Sequence, residues 1–300
     1  MSNCTLGDGE RPTQRAAANG ERTRDERPTQ RAAAPRRSFP HIADAFANSP
    51  NGKAFIPFIT AGDPTLDVTE KLVLAMSHAG ADLIELGIPF SDPTAEGPVI
   101  QEANLRALAN KVTTDNVFNM VARVREQSQV PLVIMTYANV VYSYGIERFA
   151  ARQAELGMGG VILPDVPHEE KEEFDEPFAA AGLDVVSLIA PTSHERIRAI
   201  AADARGFVYC VSSLGVTGVR SQITTDIGAM VSLVKEVRPD LPCAVGFGIS
   251  TPEQAARMAS LSDGAIVGSA IVRMIGELGE DCVEPVADYV RRMADAVHGV

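Results

Sequence analysis

Two acids stand on either side of a strand-to-loop transition in residues 82–101, DLIELGIPFSDPTAEGPVIQ. Glu85 interrupts a short apolar run near its C-terminal end. A carboxylate in such a run is costly to bury unless something uses or satisfies it. Glu96 lies in the Gly/Pro/Ser loop Ile88–Pro98, just ahead of a helix start. A second carboxyl one loop away suggests an acid/base pair at the mouth of a barrel or sheet. The plainer readings are a buried Glu neutralised by a neighbouring cation and a solvated loop acid. Asp92 competes with Glu96, although Ser91-Asp92-Pro93 also reads as turn chemistry, the Asp bonding backbone ahead of a rigid Pro.

A second set of residues could hold an anion. Three Gly-rich segments, Leu214–Gly218, Gly246–Ser250 and Gly268-Ser269, each follow an apolar run. Glycine lets backbone N–H groups approach an anion closely, and Ser269 begins a helix whose N-terminus favours negative charge. One such loop is usually just a turn; three in these places point to a phosphate site. Asp165, in Leu-Pro-Asp-Val-Pro, either orients a substrate or caps helix 168–181. Phe58, Tyr137 and Tyr209 end apolar runs and could wall an aromatic ligand, with core packing the alternative for each.

Positioning these groups requires a regular scaffold, and the pattern supplies one. Short apolar runs at 54–60, 82–86, 131–136, 160–163, 183–189, 207–211, 242–245 and 264–267 read as strands. Amphipathic stretches alternate with them at 66–79, 99–110, 114–128, 144–157, 168–181, 193–204, 226–237, 252–260, 269–276 and 281–297, after a short leading helix at 41–47. Eight strand–helix units in this length fit a (β/α)8 TIM barrel, and continuous apolar strands are what two covered faces demand. A doubly wound open sheet would need a Gly-rich first turn, which Thr60–Thr65 does not supply. In a barrel, Glu85 shares a face with Leu83 and opposes Ile84 and Leu86; if that face is interior, its carboxyl points into the mouth.

Bulk properties narrow the class. The chain has 300 residues, 45% hydrophobic and 22% charged, with a net charge of −12 that argues against nucleic acid or an anionic membrane as the main partner. No apolar run is long enough to span a bilayer. Cys4, Cys210, Cys243 and Cys282 are widely spaced and the five histidines are scattered, so buried thiols in a reducing cytosol are expected and no metal site. Residues 1–37 repeat the nonamer ERPTQRAAA at 10–18 and 26–34 and hold eight Arg against five acids, leaving −15 to residues 38–300. The expected organisation is a disordered low-complexity tail over 1–37 and a barrel domain over 38–300.

Residues 38–300 resemble the tryptophan synthase α subunit family, the indole-3-glycerol-phosphate lyases. The resemblance runs through PFITAGDP (57–64), IELGIPFSDP (84–93), GPVIQ (97–101), MTYAN (135–139), PDVP (164–167), GVTG (215–218), GFGIS (246–250) and VGSA (267–270). It implies retro-aldol cleavage of indole-3-glycerol phosphate in the cytoplasm. No metal or organic cofactor is implied in this subunit; pyridoxal phosphate is expected only in a tryptophan synthase β subunit, the partner in an α2β2-type heterotetramer. Glu85 matches the proton-shuttling glutamate and Glu96 the second acid, which bonds the indole N–H. Phe58, Met135 and Tyr209 match ring-contacting positions; Thr217 matches a lid residue that meets the second acid. Gly218, Phe247, Gly248, Gly268 and Ser269 match the phosphate cradle. One departure stands out: the family's usual second acid is Asp, in ADGP, and here it is Glu, in AEGP. A weakly active regulatory partner of a β subunit is the alternative that this substitution raises.

Overall fold

The structure, a computed structural model, describes residues 41–211, 226–246 and 248–300. The expected tail over 1–37, the segment 214–218 with Thr217 and Gly218, and Phe247 lie outside the described residues.

Eight parallel strands close on themselves in chain order: β1 Ala54–Thr60, β2 Ile84–Gly87, β3 Leu132–Met135, β4 Gly160–Ile162, β5 Asp184–Ile189, β6 Arg205–Val211, β7 Cys243–Gly246 and β8 Gly264–Val267. Between and after them run α1 Ile42–Asn48, α2 Leu66–His78, α3 Pro98–Ala109, α4 Thr114–Gln127, α5 Ala138–Tyr144, α6 Ile146–Glu155, α7 Glu172–Ala180, α8 His194–Asp203, α9 Ile227–Val237, α10 Pro252–Leu261, α11 Ser269–Leu278 and α12 Val283–His298. This is the expected (β/α)8 barrel with its short leading helix.

Strand alternation sorts the core into two layers. Ile56, Leu83, Val133, Ile162, Val186, Phe207, Tyr209, Ala244 and Ile266 fill the barrel interior, joined by Ile42 and Phe46 of α1. The alternate residues, among them Phe55, Ile59, Ile84, Leu86 and Val208, pack outward against the helices.

Three expected elements come out differently. The helix expected over 144–157 begins only at Ile146, because Gly145 (φ 91°) breaks the chain in a conformation that L side chains rarely adopt, and an unexpected short helix, α5, precedes the break. The helix over 168–181 is a single 3-10 turn at His168–Glu170 followed by α7. Strand β2 starts at Ile84, not at Asp82, whose carboxylate accepts from the Phe55 N–H at 2.7 Å and meets His298 Nε2 at 2.8 Å. Asp82 donates its N–H to the Phe55 carbonyl at 3.0 Å, while its side chain is drawn to the Phe55 N–H and the last helix just ahead of the strand.

Candidate active site

Glu85 sits mid-strand in β2, in register with Phe58 of β1 and Val133 of β3. Leu83 beside it on the same face belongs to the interior layer and Ile84 and Leu86 to the outer one, so its carboxyl points inward. It is 0% exposed, and neither carboxylate oxygen has a hydrogen-bond partner among the described residues. Burial holds its pKa well above the ordinary 4.5, and the charge of Glu96 pushes in the same direction. Burial thus favours the neutral form of Glu85.

Glu96 lies in the loop between β2 and α3, yet it is 4% exposed. The loop is gripped at several points. The Phe90 N–H donates to Asn104 Oδ1 at 2.9 Å, the Ala95 N–H to the Tyr137 hydroxyl at 3.0 Å, and Gln101 Nε2 to the Glu96 carbonyl at 2.9 Å. Asp92, by contrast, is exposed and takes the Ser91 hydroxyl at 2.5 Å, a side-chain partner and not the backbone bond expected of it.

Tyr209 of β6 feels the charge of both acids. It is almost wholly buried, and its phenol is pushed well up, first by burial, then by the charges of Glu85 and Glu96. A Cβ on Gly246 would lie 2.4 Å from the Tyr209 hydroxyl, so only glycine at the end of β7 leaves that ring its place. Phe58, with Ile100, Ala103 and Val272 and the partly buried Met135, forms a separate apolar cluster at the mouth. Its ring tip would stand 2.8 Å from a Cβ on Gly87, so a second strand-end glycine admits a second ring. Glu85, Glu96 and Tyr209 converge, with Phe58 and Met135 as an apolar wall.

The phosphate candidates follow β7 and β8. Gly248 has φ 78° and Gly268 precedes α11 without a side-chain cap, which leaves the first N–H groups of a ten-residue helix to an outside acceptor. Five other helices, α2, α4, α8, α9 and α10, begin after a Thr, Ser or Asp that accepts from their first turn. Ser269 is the first residue of α11 and is partly exposed.

Asp165 corrects one expectation. Both its carboxylate oxygens accept from the Ala138 N–H at 3.1 Å, so it caps α5 rather than the following helix. Thr60 is a residue the sequence did not single out. It follows Phe58 on the inward face of β1, 1% exposed, with its hydroxyl unpartnered among the described residues. An inward Thr two positions after a site aromatic, at a strand end, is the signal that could have marked it.

A model of the family "Tryptophan synthase alpha chain" matches residues 45–298. The chain belongs to the tryptophan synthase alpha chain family. Alpha chains from Lactiplantibacillus plantarum and Lacticaseibacillus casei are 48% and 44% identical to it over 250 and 256 residues, covering 83% and 85% of this chain and 94% and 95% of theirs. The crystal structure of the alpha chain from Legionella pneumophila superposes with a TM-score of 0.76 at 37% identity, covering 86% of this chain and 96% of that one. A structure of Mycobacterium tuberculosis tryptophan synthase gives a TM-score of 0.76 at 34% identity, covering 86% of this chain and 96% of that one. Among the described residues, no helix is long and apolar enough to cross a membrane, and no group of three or more His, Cys, Asp or Glu could hold a metal.

Proposed function

We propose that this chain is the lyase subunit of a tryptophan synthase and cleaves indole-3-glycerol phosphate to indole and glyceraldehyde 3-phosphate in the cytoplasm. The observation that carries the mechanism is the buried Glu85 carboxyl, without a hydrogen-bond partner among the described residues and under the charge of Glu96. Held protonated, Glu85 gives its proton to indole C3. The bond from C3 to the glycerol chain then breaks, the adjacent hydroxyl oxygen becomes a carbonyl, and Glu85 takes up the hydroxyl proton, so it ends as it began. Glu96, as a carboxylate, accepts from the indole N–H and stabilises the positive charge that C3 protonation places there, an interaction strengthened by exclusion of water.

Phe58, Met135 and Tyr209 face the indole ring. The N-terminus of α11, with Gly268, Ser269 and Gly248, holds the phosphate, joined by Phe247 and Gly218. Thr217, outside the described residues, is assigned to substrate binding alongside the second acid. The subunit needs no metal or organic cofactor of its own; pyridoxal phosphate belongs to the β subunit, its partner in an α2β2 assembly. A purely regulatory subunit would have no use for an acid as thoroughly buried as Glu85.

The test is indole release by the purified chain with and without a β subunit. Glu85→Gln keeps size and loses the titrating proton, so turnover should fall by a hundredfold or more, roughly the worth of acid/base catalysis. Glu96→Asp should retain turnover within about tenfold, and Glu96→Ala should lose about a hundredfold. Near-normal release by Glu85→Gln, or none by wild type in either mixture, would defeat the assignment.

A further inference from the structure

We propose that Tyr137 is a positioning residue for the second acid: its hydroxyl pins the backbone beside Glu96, and Asp165 fixes Tyr137 in turn through the first turn of α5. The inference rests on the reading of Glu96 as that acid.

Tyr137 lies between β3 and α5, and β3 stands between the strand of Glu85 and the strand that leads to Asp165. Its hydroxyl oxygen accepts from the Ala95 N–H at 3.0 Å, one residue before Glu96. Its ring stacks on Phe90 at 5.1 Å between centroids and 27° between planes, near the start of the same loop. One side chain therefore holds both ends of the segment that carries the acid. Ala138, the next residue, donates its N–H to Asp165, so three successive strand-end loops are tied in series: β4 to β3 to β2. The link joins residues 42 apart in the chain.

The chemistry requires such a tie. Glutamate has one more rotatable bond than aspartate, so a Glu in this place reaches further and loses more rotamer freedom when fixed. Displacing a reacting group by about 1 Å can cost a hundredfold in rate. Fixing the backbone next to Glu96 removes the main remaining source of displacement. Tyr137 thus acts through the loop and is no mere wall for an aromatic ligand.

The experiment is a double-mutant cycle of Tyr137→Phe and Glu96→Gln on the full chain with its β partner, read as kcat and KM, with amide exchange at Ala95 measured in parallel. Phe keeps the ring and removes the hydroxyl, the Ala95 acceptor and its O–H donor together. Tyr137→Phe should lower kcat roughly tenfold with KM within about twofold, the signature of a lost transition-state interaction. In the Glu96→Gln background the same substitution should change kcat by less than about twofold, because the two residues act as one unit. Ala95 exchange should quicken about tenfold in both backgrounds. An unchanged kcat in Tyr137→Phe, additive losses, or unchanged Ala95 exchange would overturn the proposal. A fully active Glu96→Gln would overturn the two-acid reading together with this one; an impaired Glu96→Gln beside a normal Tyr137→Phe would overturn the positioning role alone.

Discussion

A carboxyl group with no exposed surface and no hydrogen-bond partner among the described residues costs the fold stability whenever it must ionise, and Glu85 is in that state. Its pKa is raised above the ordinary 4.5 by burial and by Glu96. Below 4.5 both folded and unfolded chains hold the proton and no cost arises. As pH climbs from 4.5 towards the raised value, the unfolded chain releases its proton while the folded one keeps it, so stability falls across that window. Glu85→Gln abolishes that dependence. The variant should be about as stable as wild type near pH 4.5 and more stable at about pH 8. Thermal unfolding of both proteins across this range measures it; equal midpoints at the alkaline end would contradict the buried-acid reading. The orientation of Glu85 is legible in the sequence because a period of two fixes a strand's faces and its neighbours are apolar. Tyr137 is visible there only as a ring at a strand end. Its bond to Ala95 joins distant residues through loop geometry, which no periodicity encodes.

The same contrast governs the elements. β1 and β8 fall where their apolar runs place them, Ala54–Thr60 and Gly264–Val267, because both faces are buried and the runs are uninterrupted. The sequence pattern places a helix over 144–157 and none directly ahead of it; α5 stands there, set apart from α6 by the backbone conformation at one glycine, which side-chain patterning does not encode. What fixes α6 against its neighbours is equally local and equally hidden. Arg125 of α4 is buried, and its guanidinium donates to the carbonyls of Leu156 at 2.9 Å, Gly157 at 3.1 Å and Val130 at 2.7 Å. Those carbonyls end α6 and lead into β3, so one fork joins two helices and a strand entry. Burial lowers its pKa to about 10, which leaves it charged at neutral pH. Arg125→Met would fill the volume and orphan three carbonyls at a cost of about 3 kcal/mol. In a domain of this size the unfolding midpoint should drop by roughly 6–12 °C, with kcat at room temperature unchanged. Arg125→Lys keeps the charge without the planar fork and should lose most of the same stability. Calorimetry of both variants decides it, and a Met variant as stable as wild type would show the fork to be dispensable.

Across the whole molecule, chemistry gathers at the C-terminal strand ends, and the opposite end must be sealed for the barrel to hold. α1 is that seal. Ile42 and Phe46 enter the interior layer, with the Phe46 ring 5.4 Å from that of Phe207. Gly159 makes room for Ile42, since a Cβ there would stand 2.4 Å from Ile42 Cγ1; at Gly264 a Cβ would meet the Ala54 carbonyl at 2.7 Å before Phe46 Cε1 at 3.3 Å. The composition of residues 1–37 offers no comparable apolar surface, so we place the boundary of the folding unit between that segment and α1. Removing residues 1–37 should leave both the unfolding midpoint and indole release unchanged. Phe46→Ala, far from the acids, should destabilise by about 3–5 kcal/mol through the cavity it opens. Its kcat should survive at temperatures where the chain stays folded, because the Phe46 ring packs on Phe207 and stands one ring removed from Tyr209. If the truncated chain instead lost stability as Phe46→Ala does, the folding unit would begin earlier than the seal, and the repeated ERPTQRAAA segments would belong to it.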